Sequence, residues 1–267
     1  MFSSLLQISE VPFRIDDFLA IAIVSSVIWG MGIHFIREVI YGRRGKRWDM
    51  VFEQVERYDK VQIVIHWLFL ILLTALLITG LIIFKLDYLT LLYPPLGEVG
   101  LRNLAAYHWY FVVVLIQLGL IHILYDTFII RKFRDAWITQ RDLQSMKTIA
   151  KNFFVLTEEY PRLEKLHPLQ KMAHWGIFVV VFLLGVTGLT VWEPFLGLIR
   201  ALGLGYFEPW LYIYNSRYLH DILTFVLVAL MIGHFYFSVL IPTNWKIFRG
   251  IIYGKIKYDT SKKHTDK

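Results

Sequence analysis

Five stretches of this chain, at 18–41, 61–84, 104–130, 171–191 and 217–241, stay apolar long enough to cross about 30 Å of hydrocarbon at 1.5 Å per residue. Nothing else in the sequence constrains the fold as tightly. In lipid, backbone N–H and C=O groups must be satisfied within a helix or a closed barrel, and runs of about 20 apolar residues suit the helix. Each stretch is apolar all round, unlike the one-sided helix on the surface of a soluble protein. The expected fold class is an all-α membrane protein with five transmembrane helices. Composition agrees, since 57% of the 267 residues are hydrophobic and the mean hydropathy is +0.52, well beyond a soluble domain.

Charge gives these helices a direction. Arg43, Arg44, Lys46 and Arg47 follow the first span, and Arg131, Lys132, Arg134, Arg141, Lys147 and Lys151 follow the third. The tail after the fifth carries Lys246, Arg249, Lys255, Lys257, Lys262 and Lys263. The other two loops hold little beyond Lys85 and Arg102, and Arg200 and Arg217. Basic loops stay in the cytoplasm, so the N-terminus is expected outside and the C-terminus inside. The net charge of +7 is therefore topological and no sign of nucleic-acid binding. Residues 1–17 hold Glu10, Asp16 and Asp17 and no basic stretch ahead of an apolar run, so a cleaved signal is not expected and the first helix spans. The loop at 131–167 mixes charge with Phe153, Phe154 and Leu156, which predicts an amphipathic cytoplasmic helix. The outer loops, with Tyr93, Pro94, Pro95, Pro194, Phe207 and Trp210, are expected to lie along the outer interface.

Inside the spans sit six histidines in two matching sets: His66, His108 and His122, then His174, His220 and His234. The offsets between the sets are 108, 112 and 112 residues. The second and fourth spans share more, namely His66-Trp67 against His174-Trp175 and, thirteen positions after each His, Thr79-Gly80 against Thr187-Gly188. The third and fifth spans each carry two histidines fourteen apart. Four aligned landmarks identify a two-helix unit, duplicated into a four-helix bundle, with the first span as an extra N-terminal helix.

Ionisable side chains inside a membrane are costly and mark function, and imidazole is the commonest metal ligand. With no cysteine in the chain, covalently attached haem, thiolate-held iron–sulfur clusters and disulfides are all excluded. What six duplicated histidines then point to is haem b, held by imidazole alone. Fourteen residues are about 3.9 turns and roughly 21 Å of rise, so both histidines of a pair lie near one helix face, one towards each side of the bilayer. Helix direction puts His108 and His220 at the outer level and His66, His122, His174 and His234 at the inner one. Bis-His ligation by His108 and His220 is the simplest outer site. Two inner sets are open, His66 with His234 and, by the symmetry of the repeat, His174 with His122.

Blander roles compete for single residues. A lone intramembrane His often only bonds a neighbouring helix, and that is the expectation for His34. His167 is expected at the interface, and His264 belongs to the tail. Gly80 and Gly188 suit either close approach of a porphyrin or small-residue helix packing, and Trp67 and Trp175 suit the interfacial belt. Arg102 and Arg217 near the outer level, and Lys60 and Lys171 near the inner one, are candidate partners for haem propionates or ordinary topological flanks.

These landmarks carry a family resemblance. From about Arg57 to Lys257 the chain resembles the cytochrome b (gamma) subunit of membrane-bound formate dehydrogenases and, more loosely, the cytochrome b of nickel–iron hydrogenases and thiosulfate reductases. The pieces that carry it are Asp59 through His66-Trp67, His108, Gln170-Lys171-Met172 with Trp175, Thr187-Gly188 before Trp192 and Pro194, His220 with His234, and Gly250 through Ile256. The resemblance implies an inner haem on His66 and His234, an outer haem on His108 and His220, and a menaquinone or ubiquinone pocket beside the inner haem. It places His167-Pro168-Leu169-Gln170 at the quinone-contacting turn, with Gln170 kept and His167 and Leu169 standing where the family has Asn and Gly. A protonatable His167 suits proton exchange with quinol.

Two departures stand out: the extra N-terminal span, and His174, where the family residue is apolar, together with His122. That pair is a possible third haem site or a relic of the duplication. The implied layout is 1–56 for the extra helix and basic linker, 57–257 for the cytochrome b domain and 258–267 for the tail. The implied function is the electron-transfer and quinone-reacting subunit of a respiratory oxidoreductase in a prokaryotic cytoplasmic membrane, relaying electrons between outer-side iron–sulfur or multihaem subunits and the quinone pool. A stand-alone transmembrane electron transporter like the broader cytochrome b561 group is the alternative, and a haem-free transporter or anchor is a third.

Overall fold

The computed structural model describes residues 15–41, 58–84, 98–131, 133–153, 168–205, 216–240 and 245–254. Helix is the only regular structure among them. We number the α-helices α1 (Ile15–Tyr41), α2 (Lys60–Phe84), α3 (Glu98–Leu124), α4 (Gln140–Phe153), α5 (Pro168–Thr190), α6 (Glu193–Ala201), α7 (Ser216–Phe235) and α8 (Trp245–Tyr253). Five of them, α1, α2, α3, α5 and α7, are long and apolar enough to span a membrane, as the sequence predicts. Large apolar side chains stand exposed along them, with Trp29 73%, Ile71 63% and Phe182 62% accessible. A soluble monomer does not present apolar surface on that scale, and a lipid-facing bundle does so by necessity.

Local chemistry sets the helix ends. Asp59 accepts a hydrogen bond from the Gln62 amide (2.9 Å), while the Gln62 side chain accepts one from the Asp59 amide (3.3 Å). This reciprocal capping box satisfies two otherwise orphaned donors at the start of α2. Thr139 and Asp142 form the same device at the start of α4, with both the amide and the hydroxyl of Thr139 donating to the Asp142 carboxylate at 2.8 Å. Pro168 opens α5, where its missing N–H costs nothing. At the end of α8, Gly254 has φ +75° and its Cα faces the Tyr58 carbonyl, where a Cβ would stand 2.8 Å from that oxygen. Only glycine meets both demands.

Two features refine the sequence reading. The segment at 131–167 does hold a one-sided helix, α4, and α6 is a second one carrying Pro194. Beyond it, α3 and α7 do not end as plain α-helices. Each passes into one π-helical turn, Tyr125–Ile129 and Tyr236–Leu240, beginning three residues after His122 and two after His234. The duplication therefore extends to a backbone irregularity that hydropathy does not register.

By internal contacts the chain forms two compact units. One comprises the described residues within 1–28, 71–117 and 175–231, and the other those within 29–70, 118–174 and 232–267. The first contains His108 and His220. The second contains His66, His122, His174 and His234, so the two-and-four sorting reached from helix direction is also the division between the units.

Candidate functional site

The first unit contains His108 of α3 and His220 of α7. Each imidazole meets a threonine from a neighbouring helix. Thr79 Oγ1 lies 2.8 Å from His108 Nδ1, and Thr187 Oγ1 lies 2.9 Å from His220 Nδ1. The hydroxyl proton of each threonine is already committed to its own helix. Thr79 donates to the Ala75 carbonyl at 2.8 Å and Thr187 to the Leu183 carbonyl at 2.9 Å. A hydroxyl has one proton, so towards imidazole each threonine oxygen accepts. Nδ1 is then the protonated nitrogen in both rings, and the lone pair belongs to Nε2. Fixing the tautomer through the far nitrogen is how metal-ligating histidines are oriented.

The glycines next to these threonines serve the same rings. A Cβ at Gly80 would stand 3.4 Å from His108 Cε1, and one at Gly188 would stand 3.4 Å from His220 Cε1. What their missing side chains admit in this structure is an imidazole lying against the helix. The Gly188 position is also 3.8 Å from Trp109, whose indole stacks on Trp192 with ring centres 4.1 Å apart. Sequence reasoning singled out Gly80 and Gly188 and treated Thr79 and Thr187 only as landmarks of the repeat. Nothing in the sequence separates that role from one in which the hydroxyl satisfies only its own helix.

In the second unit, the rings of His66 of α2 and His234 of α7 have centres 6.3 Å apart with their planes at 55°, and those of His122 of α3 and His174 of α5 have centres 6.3 Å apart with their planes at 68°. An imidazole nitrogen binds a first-row metal at about 2 Å, with its ring centre about 1 Å further back, so two axial rings on one metal have centres about 6 Å apart. Both ring-centre separations match that spacing. Among the described residues no three His, Asp or Glu side chains converge as a cage for a bare metal ion.

The surroundings of the second unit are more polar than the first. The Gln62 side chain donates to Asp126 at 3.2 Å, and Tyr125 donates to Asp59 at 3.2 Å. Asp126 Oδ1 lies 3.7 Å from His122 Nδ1. His34, expected to serve helix packing, is buried and hydrogen-bonded through Nδ1 to the Tyr236 hydroxyl at 2.9 Å, which ties α1 to the π-turn after His234. Lys171 is buried in an ion pair with Asp142 at 2.8 Å, so of its two expected roles the structure gives it a third, joining α4 to the start of α5. Lys60 and Arg217 are exposed. Gln170 is half-buried in the first turn of α5, while His167, His264 and the Arg102 side chain lie outside the described residues.

Residues 57–254 match a family model described as prokaryotic cytochrome b561. No curated protein matches the chain.

Proposed function

The chain belongs to the prokaryotic cytochrome b561 family and is thus a membrane electron-transfer protein of the b-haem type, and from that premise we propose that it is the cytochrome b subunit of a respiratory oxidoreductase. His108 with His220, and His66 with His234, are the axial pairs of two haem groups. The observation that carries this reading is the pair of threonines whose committed hydroxyls leave Nδ1 of His108 and His220 protonated and Nε2 free for iron. Haem b supplies reversible one-electron exchange at its iron when bound.

The protein's own contribution is placement. α3 carries His108 at one level and α7 carries both His220 and, fourteen residues on, His234. Thr79 and Thr187 orient the imidazoles, and the apolar helices keep water from them. The charge asymmetry of the loops puts the His108/His220 pair on the outer side, where an iron–sulfur or multihaem partner delivers or takes electrons. The His66/His234 pair lies on the inner side, beside a menaquinone or ubiquinone that meets Gln170 and His167. The matched residues 57–254 take in most of the stretch that resembles formate dehydrogenase gamma subunits, and that resemblance is what points to a partnered subunit.

The family description equally suits a stand-alone transmembrane electron carrier. Isolation of the native protein separates the two, because co-purifying redox subunits belong only to the first. The reading itself is tested by the reduced-minus-oxidised spectrum of the purified protein. A b-type spectrum that loses one component in His220→Ala supports it, and a colourless protein overturns it.

A further inference from the structure

Resting on the bis-histidine reading above, we propose that His122 and His174 form a third axial pair that binds a further haem b, with Asp126 as the carboxylate behind His122. The two pairs of the second unit are equivalent by the repeat, which maps His66 onto His174 and His122 onto His234. Their ring separations agree too, both at 6.3 Å, with the planes at 55° and 68°. Each of the four histidines comes from a different helix, α2, α7, α3 and α5, so neither pair borrows a ligand from the other. A duplication relic under no demand has no reason to keep the separation that an iron requires, on helices that differ from those of the first pair.

The second observation concerns the far side of His122. Its Nδ1 is buried and makes no hydrogen bond, with Asp126 Oδ1 3.7 Å away on the next helical turn. A buried polar atom left unmatched is uncommon and calls for a cause. A carboxylate at that distance from Nδ1 is placed to draw close when Nε2 takes a metal, as in the carboxylate–histidine–metal arrangement. Gln62 Nε2 donates to the same Asp126 oxygen at 3.2 Å. The sites would then differ in the group behind the ligand, a threonine hydroxyl at His108 and His220 and a carboxylate at His122. A carboxylate makes imidazole a stronger donor, favours ferric iron and lowers the potential of that site.

A pyridine haemochrome assay on the full-length protein, in its native complex if it has one, counts haem against chain. Three per chain for the wild type, falling to two in His122→Ala and in His174→Ala, is the expected result. Two per chain in the wild type and in both variants overturns the proposal and leaves the two-haem function intact. Two in the wild type falling to one in either variant also overturns it, because the residue then serves one of the other haems. No haem at all overturns the proposed function as well. Asp126→Asn keeps the fold of the ligand pair and separates positioning from packing. One of three reduction steps moves to higher potential with the other two unchanged, and Asp126→Glu restores it; three unmoved steps overturn the role of Asp126.

Discussion

At the scale of single residues, the threonine–histidine pairs make the strongest claims. Replacing Thr79 or Thr187 by valine keeps shape and removes the acceptor for Nδ1–H, which leaves that N–H unmatched at a cost of about 1–3 kcal/mol. Loss of such an outer partner typically weakens metal binding about 10–100-fold. We expect Thr187→Val to lose haem from the His108/His220 site on dilution or dialysis, with the other site retained, as read from the visible spectrum. Retention equal to wild type at both sites contradicts the role given to Thr187. The six histidines were legible in the sequence because intramembrane imidazoles in a repeat have few explanations. The threonines were not, because a hydroxyl that satisfies its own helix is indistinguishable, in sequence, from one that also fixes a ring on another. His34 shows the reverse case. Its packing role was readable from its solitary place, but its partner Tyr236 was not, since that contact depends on how α1 meets a π-turn.

At the scale of elements, the buried Asp142–Lys171 pair holds the amphipathic helix α4 to the first turn of α5. Burial pushes the Asp142 carboxyl up, and the hydrogen bonds from Lys171 and Thr139 outweigh it, so the group sits below the usual 3.8. A carboxylate with a lowered folded pKa stabilises the fold fully above its unfolded value and loses that contribution as pH falls through the folded one. Protection of residues 140–153 from protease should thus be constant from about pH 7 down to about 4 and decline below. Loss of protection well above that range counts against the pair as the anchor. Asp142→Asn leaves the Lys171 ammonium uncompensated, at a cost of about 3 kcal/mol. It should expose α4 to protease at neutral pH without loss of haem from His108/His220. The five spans were visible in hydropathy to within a few residues, and a one-sided helix was expected somewhere in 131–167, where α4 lies. The π-turns were not, since one extra residue per turn leaves an apolar stretch equally apolar. They lie next to His122 and His234, and such turns concentrate at functional sites.

At the scale of the whole molecule, the account is a duplicated two-helix unit inside a membrane, with an added helix in front. The absence of cysteine makes its topology directly measurable. Single cysteines at Lys46 or Lys147 should react with an impermeant maleimide only from the cytoplasmic side, and one at Pro95 only from outside. The opposite pattern inverts the orientation and puts the His108/His220 pair on the cytoplasmic side, with both sites intact. The central claim is that pairs of histidines from different helices hold haem b without any covalent link. It is tested most directly by the haem content of purified protein from wild type, His66→Ala and His220→Ala, measured after acid–acetone extraction. All the haem should be extractable, with at least two haem b per chain in the wild type and one fewer in each variant. Haem that resists extraction, or a content unchanged by both substitutions, would contradict it.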